Sequence, residues 1–124
     1  MYPANLQYLC FHLRNLLLTK RYDEAEKLLE SYGSTITNAF CQAQFSIFRG
    51  VLQEKKYFND KLAEQLYTKG IDDISSFGHY SNEFAAYGYF GLSRISGRKG
   101  ESNLKKTYRK KADELTDFKY VNFD

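Results

Sequence analysis

Apolar residues recur three and four positions apart in six successive blocks of this sequence, and that spacing restricts the fold more than any other feature. In the first block, Leu6, Leu9, Leu13 and Leu16 share one helical face. Clusters of Gly, Asn, Asp or Ser bound the blocks. The pattern predicts six amphipathic helices. A chain with one Pro and eight Gly has few of the turn residues that a small all-β fold requires. We therefore expect an all-α fold.

Short polar connections group the helices into three antiparallel hairpins and an aromatic tail. The hairpins span about 3–33, 38–77 and 81–117, and the tail spans 118–124. Asn38 is a suitable N-cap, and Asp23 and Glu26 have the spacing of a capping box. In the last helix we expect Leu104 to face inward. The 124 residues are enough for one domain, 1–124, with a core of its own.

Short motifs inside these hairpins match a known helical repeat. The matching residues are Ala25 and Leu29 in the first hairpin, Ala63 and Tyr67 in the second, and Tyr89, Leu92, Gly100 and Ala112 in the third. With them the chain resembles the tetratricopeptide repeat family over nearly its whole length. Ser93 and Lys105 stand where the family has small residues, and the repeat spacing is uneven, so the match is to a degenerate member.

The resemblance implies a right-handed array of three stacked hairpins, with the first helix of each pair facing a concave groove. Repeats of this kind bind peptides there, and large aromatic or Arg side chains make good anchors. By the family's positions, the groove residues of this chain are Gln7, Arg14, Tyr87, Phe90 and Arg94. Core packing is the alternative for Tyr87 and Phe90.

Basic residues concentrate between positions 94 and 111. Eight of them stand there against one acid, Glu101. Besides Arg94, this basic patch contains Arg98, Lys99, Lys105, Lys106, Arg109, Lys110 and Lys111. Such an excess is typical of a surface that binds nucleic acid or an acidic protein. The alternative is a solvated outer face of the last hairpin.

Residues suited to catalysis or metal binding are few and poorly spaced. Cys10 and His12 are two positions apart, which points their side chains about 200° apart on a helix. His79 lies in a predicted loop without a partner motif, and the sequence has no CxxC or HxxxH pair. We therefore expect no enzyme activity, no cofactor and no bound metal.

Cys10 and Cys41 fall in apolar patterns, which favours buried thiols, with a redox pair as the alternative. No segment approaches the roughly 20 apolar residues that span a bilayer, and the first residues lack the pattern of a secretory signal. These features predict a cytoplasmic protein, unless the chain is a fragment of a longer exported one.

The function we expect is that of a noncatalytic protein-protein interaction or scaffolding module. It would bind a peptide, a neighbouring domain or a second copy of itself through the concave helical face. The alternative is binding of nucleic acid or an acidic partner through the basic patch at 94–111. A third interpretation takes the chain as the C-terminal piece of a larger protein whose aromatic tail packs onto another surface.

Overall fold

Helices account for all the regular secondary structure in the part of the chain that the structure describes. The computed structural model describes residues 4–116 and 122–124. The elements in chain order are α1 (Ala4–Leu18), α2 (Tyr22–Tyr32), α3 (Ala39–Lys55), α4 (Asp60–Ile74), a short 3-10 segment (Ser75–Ser81), α5 (Asn82–Arg98) and α6 (Ser102–Leu115). The expected all-α fold with six helices is confirmed.

Two of the helices begin at an asparagine side chain. Asn38 Oδ1 accepts a hydrogen bond of 3.0 Å from the backbone N–H of Cys41 at the start of α3, as expected. Asn59 Oδ1 accepts one of 3.2 Å from the N–H of Leu62 at the start of α4. Each bond satisfies a backbone donor that the first turn of a helix leaves unpaired. Local sequence therefore fixes both of these boundaries.

The capping box expected from Asp23 and Glu26 at the start of α2 is wrong. Arg21 occupies the N-cap position and makes no side-chain capping bond. The Glu26 carboxylate instead accepts hydrogen bonds from Lys56 Nζ at 2.7 Å and from the Tyr57 hydroxyl at 2.6 Å. A carboxylate bonds more strongly to an ammonium group than to a neutral amide. Glu26 therefore ties α2 to the end of α3.

Helix α3 lies at the centre of the fold. It contacts α1, α2, α4 and α5, and it is buried over most of its length between Phe40 and Glu54. Contacts also join α1 to α2, α3 to α4, and α5 to α6. Burial of this apolar surface is the main favourable term in folding. The tetratricopeptide-like stacking of the helix pairs stays a prediction.

Helix α6 is the most exposed of the six. Its main contacts are with α5, and Ala112 is its one buried residue. Leu104 is 39% exposed, so the expectation that it faces inward is wrong. A helix that packs against one neighbour covers only a narrow stripe, and here that stripe passes through Ala112 and the half-buried Tyr108. Tyr108 stacks on Tyr89 of α5, with ring centroids 6.1 Å apart.

A buried tyrosine ring fills the space between three helices. Tyr67 of α4 has no exposed surface. A Cβ atom added at Gly50 of α3 would lie 2.8 Å from its ring, and one added at Gly91 of α5 would lie 2.3 Å from it. Those distances are too short for any side chain, so both positions require glycine. The close fit brings the Tyr67 hydroxyl to the carboxylate of Glu54.

Candidate functional site

A buried carboxylate with two arginine partners lies near the C-terminal end of α3. The side chain of Glu54 is 1% exposed. Its Oε1 accepts bonds from Arg94 Nη2 at 2.8 Å and from the Tyr67 hydroxyl at 2.7 Å. Its Oε2 accepts bonds from Arg94 Nε at 2.9 Å and Arg98 Nη2 at 2.7 Å. We call these four residues the Glu54 cluster.

The ion pairs of this cluster keep Glu54 charged. Burial alone would raise the pKa of its carboxyl, but the hydrogen bonds and positive charges of Arg94 and Arg98, with the Tyr67 hydroxyl, lower that pKa from 4.5 to about 2. Burial raises the pKa of Tyr67 well above its ordinary value. The phenol is therefore neutral and donates its proton to the carboxylate. The Glu54 cluster thus fixes the position of Arg94, whose side chain is 12% exposed.

Arg94 also holds a non-helical part of the chain, residues 122–124. Its Nη1 donates a hydrogen bond to the backbone carbonyl of Asn122 and lies 3.5 Å from Oδ1 of Asp124. Phe123, 7% exposed, packs edge-on against Tyr87 with ring centroids 5.1 Å apart. We call Tyr87, Arg94 and the surface that they present to residues 122–124 the tail site. It binds a main-chain carbonyl, an aromatic ring and a carboxylate side by side.

Phe123 is held in an unusual backbone conformation. Its φ of 60° lies in the left-handed region. Residues other than glycine rarely adopt this backbone conformation, which carries strain on the order of 1–3 kcal/mol. The contacts of its ring and of Arg94 must offset that strain. The segment is therefore bound at a specific site rather than resting on the surface.

Burial corrects the placement of two predicted groove residues. Tyr87 is 0% and Phe90 2% exposed, so neither forms an open anchor. Phe90 packs with Ala86 and Ala112 between α5 and α6, because α5 contacts α6 as well as α3 and α4. For both residues the core-packing alternative describes the observed position. Although it is buried, the Tyr87 ring contacts the Phe123 ring in an edge-to-face arrangement.

The other three predicted groove residues differ in their surroundings. Gln7 is exposed on α1, and Arg14 is half-buried. Arg14 Nη1 pairs with Oε1 of Glu83 at 2.9 Å, and the Tyr87 hydroxyl donates to the same carboxylate oxygen. Arg94 lies in the Glu54 cluster. The structure therefore links Arg14 to Tyr87 through Glu83, and Tyr87 to Arg94 through residues 122–124.

The predicted basic patch does not form one surface. Arg98 pairs with Asp60 at 2.9 Å and Lys99 with Glu64 at 2.5 Å, so acids of α4 neutralise these two cations. The remaining cations lie exposed on α6, and they are Lys105, Lys106, Arg109, Lys110 and Lys111. We call these five residues the α6 basic face. Arg109 is 3.5 Å from Asp113 on the same helix.

Sequence reasoning missed Glu54 and the role of residues 122–124. Glu54 is separated from Arg94 by 40 positions, and no local motif connects them. The aromatic character of the tail was a usable signal, and Phe123 indeed packs, but against Tyr87 of the same chain. The other tail aromatics, Phe118 and Tyr120, lie outside the described residues. So does the side chain of His79.

The remaining candidate residues gather into no reactive group in the described parts of the chain. Cys10 and Cys41 are both buried, at 1% and 0% exposure, which agrees with the buried-thiol interpretation, while His12 is exposed on α1. Among the described residues, no three His, Cys, Asp or Glu side chains are placed to hold a metal ion. None of the helices described is both long enough and apolar enough to span a membrane.

Comparisons with known proteins find no match for this chain. No protein-family model matches the sequence. No curated protein and no solved structure matches it either. The described residues form an all-α fold of six helices, and the resemblance to tetratricopeptide repeats stays a prediction.

Proposed function

We propose that this chain is a noncatalytic protein-interaction module that binds a peptide segment of a partner at the tail site. The observation that carries the proposal is the seating of residues 122–124 on Arg94 and Tyr87. A surface that already holds a main-chain carbonyl together with an aromatic side chain has the chemistry needed for another peptide. We expect the module to act in the cytoplasm, where buried thiols stay reduced.

The tail site is organised before any partner arrives. Glu54 holds Arg94 through two bonds of 2.8 and 2.9 Å, so the guanidinium loses little further freedom when it binds a ligand. Binding by a preorganised group avoids much of the entropy loss that ordering a free arginine would require. The bond from Arg94 to the Asn122 carbonyl is independent of the side chain at that position, which suits recognition of a peptide main chain.

Affinity capture with site variants tests this function. Three baits are used in source-cell extract. They are the full chain, a Phe123→Ala/Asp124→Asn variant that weakens the segment bound at the tail site (the tail-site variant), and a Lys106→Glu/Lys110→Glu variant on α6. We expect the tail-site variant to change the amounts of captured proteins, measured by quantitative mass spectrometry, and the α6 variant to leave those proteins unchanged. Identical capture by the wild-type chain and the tail-site variant would refute the proposal.

A second candidate function is binding of nucleic acid or an acidic protein by the α6 basic face. The observation in its favour is that Lys105, Lys106, Arg109, Lys110 and Lys111 remain exposed on one helix while the acids of α4 neutralise Arg98 and Lys99. Binding through such a face releases counterions and weakens steeply as salt rises.

A salt titration with single-stranded RNA and duplex DNA tests this second function. We expect measurable binding at low salt that falls with added salt, and a loss of at least about tenfold in the Lys106→Glu/Lys110→Glu variant. Undetectable binding at low salt, or equal binding by wild type and variant, would exclude it.

A further inference from the structure

We propose that residues 122–124 are a built-in competitor for the tail site, and that the partner segment that replaces them carries an aromatic residue followed directly by an acidic one. This inference rests on the proposed function, because it names the partner chemistry and the regulation of the same site.

The aromatic requirement follows from the burial of Phe123. Its ring is 7% exposed, belongs to the main hydrophobic core cluster and meets the Tyr87 ring at 80°. Edge-to-face contacts of this kind add to the gain from apolar burial. A smaller side chain would leave part of this space unfilled. A partner that displaces Phe123 must therefore supply a ring of its own.

The acidic requirement follows from the local charge. Arg94 and the half-buried Lys55 lie close enough to influence each other, and both interact with the charges of Glu54 and Asp124. Glu54 and Asp124 both pair with Arg94, and Asp124 does so at 3.5 Å from the position directly after the ring. Arg98 also pairs with Glu54, so Asp124 supplies negative charge where cations outnumber the Glu54 carboxylate. The Asp124 side chain is 60% exposed, so its contribution is a modest one at the rim of the site.

Two features make the segment a ligand that can be displaced. The left-handed φ of Phe123 is strained, and that strain weakens the binding of the segment to its own site. The exposed Asp124 gives an incoming carboxylate access to the edge of the site. Against this, a tethered segment has an effective concentration on the order of millimolar. A partner therefore reaches the site only if its affinity and concentration are high enough to compete with the tethered segment.

Fluorescence anisotropy with a labelled peptide tests the proposal directly. The peptide has the sequence of residues 118–124, and a scrambled peptide separates its Phe and Asp residues. The proteins are the full wild-type chain, the Phe123→Ala/Asp124→Asn variant, the Asp124→Asn variant, and Phe58→Ala as a control at a ring that is 83% exposed. Circular dichroism verifies the helical fold of each. If the double variant fails to fold, Asp124→Asn carries the test, because its side chain is mostly exposed.

We expect the peptide to bind the double variant at least about tenfold more tightly than it binds the wild-type chain, because the internal competitor is weakened. Asp124→Asn should lie between the two, Phe58→Ala should match the wild type, and the scrambled peptide should bind none of them. Equal peptide affinity for wild type and double variant would overturn the competitor. Equal binding of the scrambled peptide, or an Asp124→Asn variant identical to wild type, would overturn the aromatic-acidic preference.

The peptide experiment and the affinity capture can fail independently of each other. If the peptide fails to bind while captured proteins still respond to the tail-site variant, the partner chemistry is wrong and the proposed function stands. If the peptide binds as expected while the captured proteins do not respond, the internal ligand stands and the proposed function falls.

Discussion

Replacing Glu54 by Gln tests the physical basis of the tail site, because this carboxylate holds Arg94 in position. The Glu54 side chain is 1% exposed and pairs with Arg94 and Arg98. Removing one member of a buried ion pair leaves the other charge uncompensated and destabilises by about 3–5 kcal/mol. Asn122 and Asp124 still contact Arg94, so we expect a loss near the lower end of that range for Glu54→Gln at pH 7.

The pH dependence of this loss gives a second, independent magnitude. The pKa of Glu54 is lowered from 4.5 to about 2, so its charge stabilises the folded state fully above pH 4.5. That contribution falls as the pH drops toward 2. For these two pKa values, about 2 kcal/mol is lost on going from neutral pH to pH 3. The Glu54→Gln variant has no carboxylate there and cannot lose this contribution.

Urea unfolding followed by far-ultraviolet circular dichroism measures both effects. We expect the difference in unfolding free energy between wild type and Glu54→Gln to shrink by about 2 kcal/mol between pH 7 and pH 3. The matched control is Glu64→Gln, which removes an exposed pairing with Lys99 and should change stability by less than about 1 kcal/mol. A difference between wild type and Glu54→Gln that stays constant with pH would refute the assigned role of the buried carboxylate.

Three further predictions concern stability, and thermal or urea unfolding measures each of them. Gly91→Ala places a Cβ 2.3 Å from the buried Tyr67 ring and should destabilise by about 1–3 kcal/mol or more. Gly97→Ala on the same helix meets only a flexible lysine side chain and should be neutral or stabilise by up to about 1 kcal/mol; similar losses in both variants would contradict this assignment. Tyr87→Ala should destabilise by about 3–5 kcal/mol, because the ring is fully buried, and a stable variant would contradict the core placement. Asn38→Ala should cost about 1 kcal/mol through the lost cap, and an unchanged midpoint would argue against that cap.

Helix positions were the part of the fold most accessible from the sequence. The spacing of apolar residues identified all six helices, and the Asn38 cap was found where its side chain predicted it. Both depend on contacts within about four residues, which a sequence displays directly. The capping box at Glu26 failed because Lys56 and Tyr57, 30 and 31 positions away, offered better hydrogen-bond partners.

Side-chain roles on α5 show the limit of that reasoning. Periodicity placed Tyr87, Phe90 and Arg94 on a helix, but whether each would be buried, paired or open depends on which helices surround α5. The resemblance to a repeat family suggested an open groove. In the structure α6 covers Phe90, and residues 122–124 cover Tyr87 and Arg94.

The sequence by itself therefore determined that this chain forms six amphipathic helices, because helical periodicity is a property of neighbouring residues. Only the tertiary structure decided that Glu54 and Arg94, 40 positions apart, form a buried pair, and that residues 122–124 bind beside it. The physical reason is that burial and charge pairing depend on the complete set of neighbours around a side chain, and that set exists only once the helices have packed.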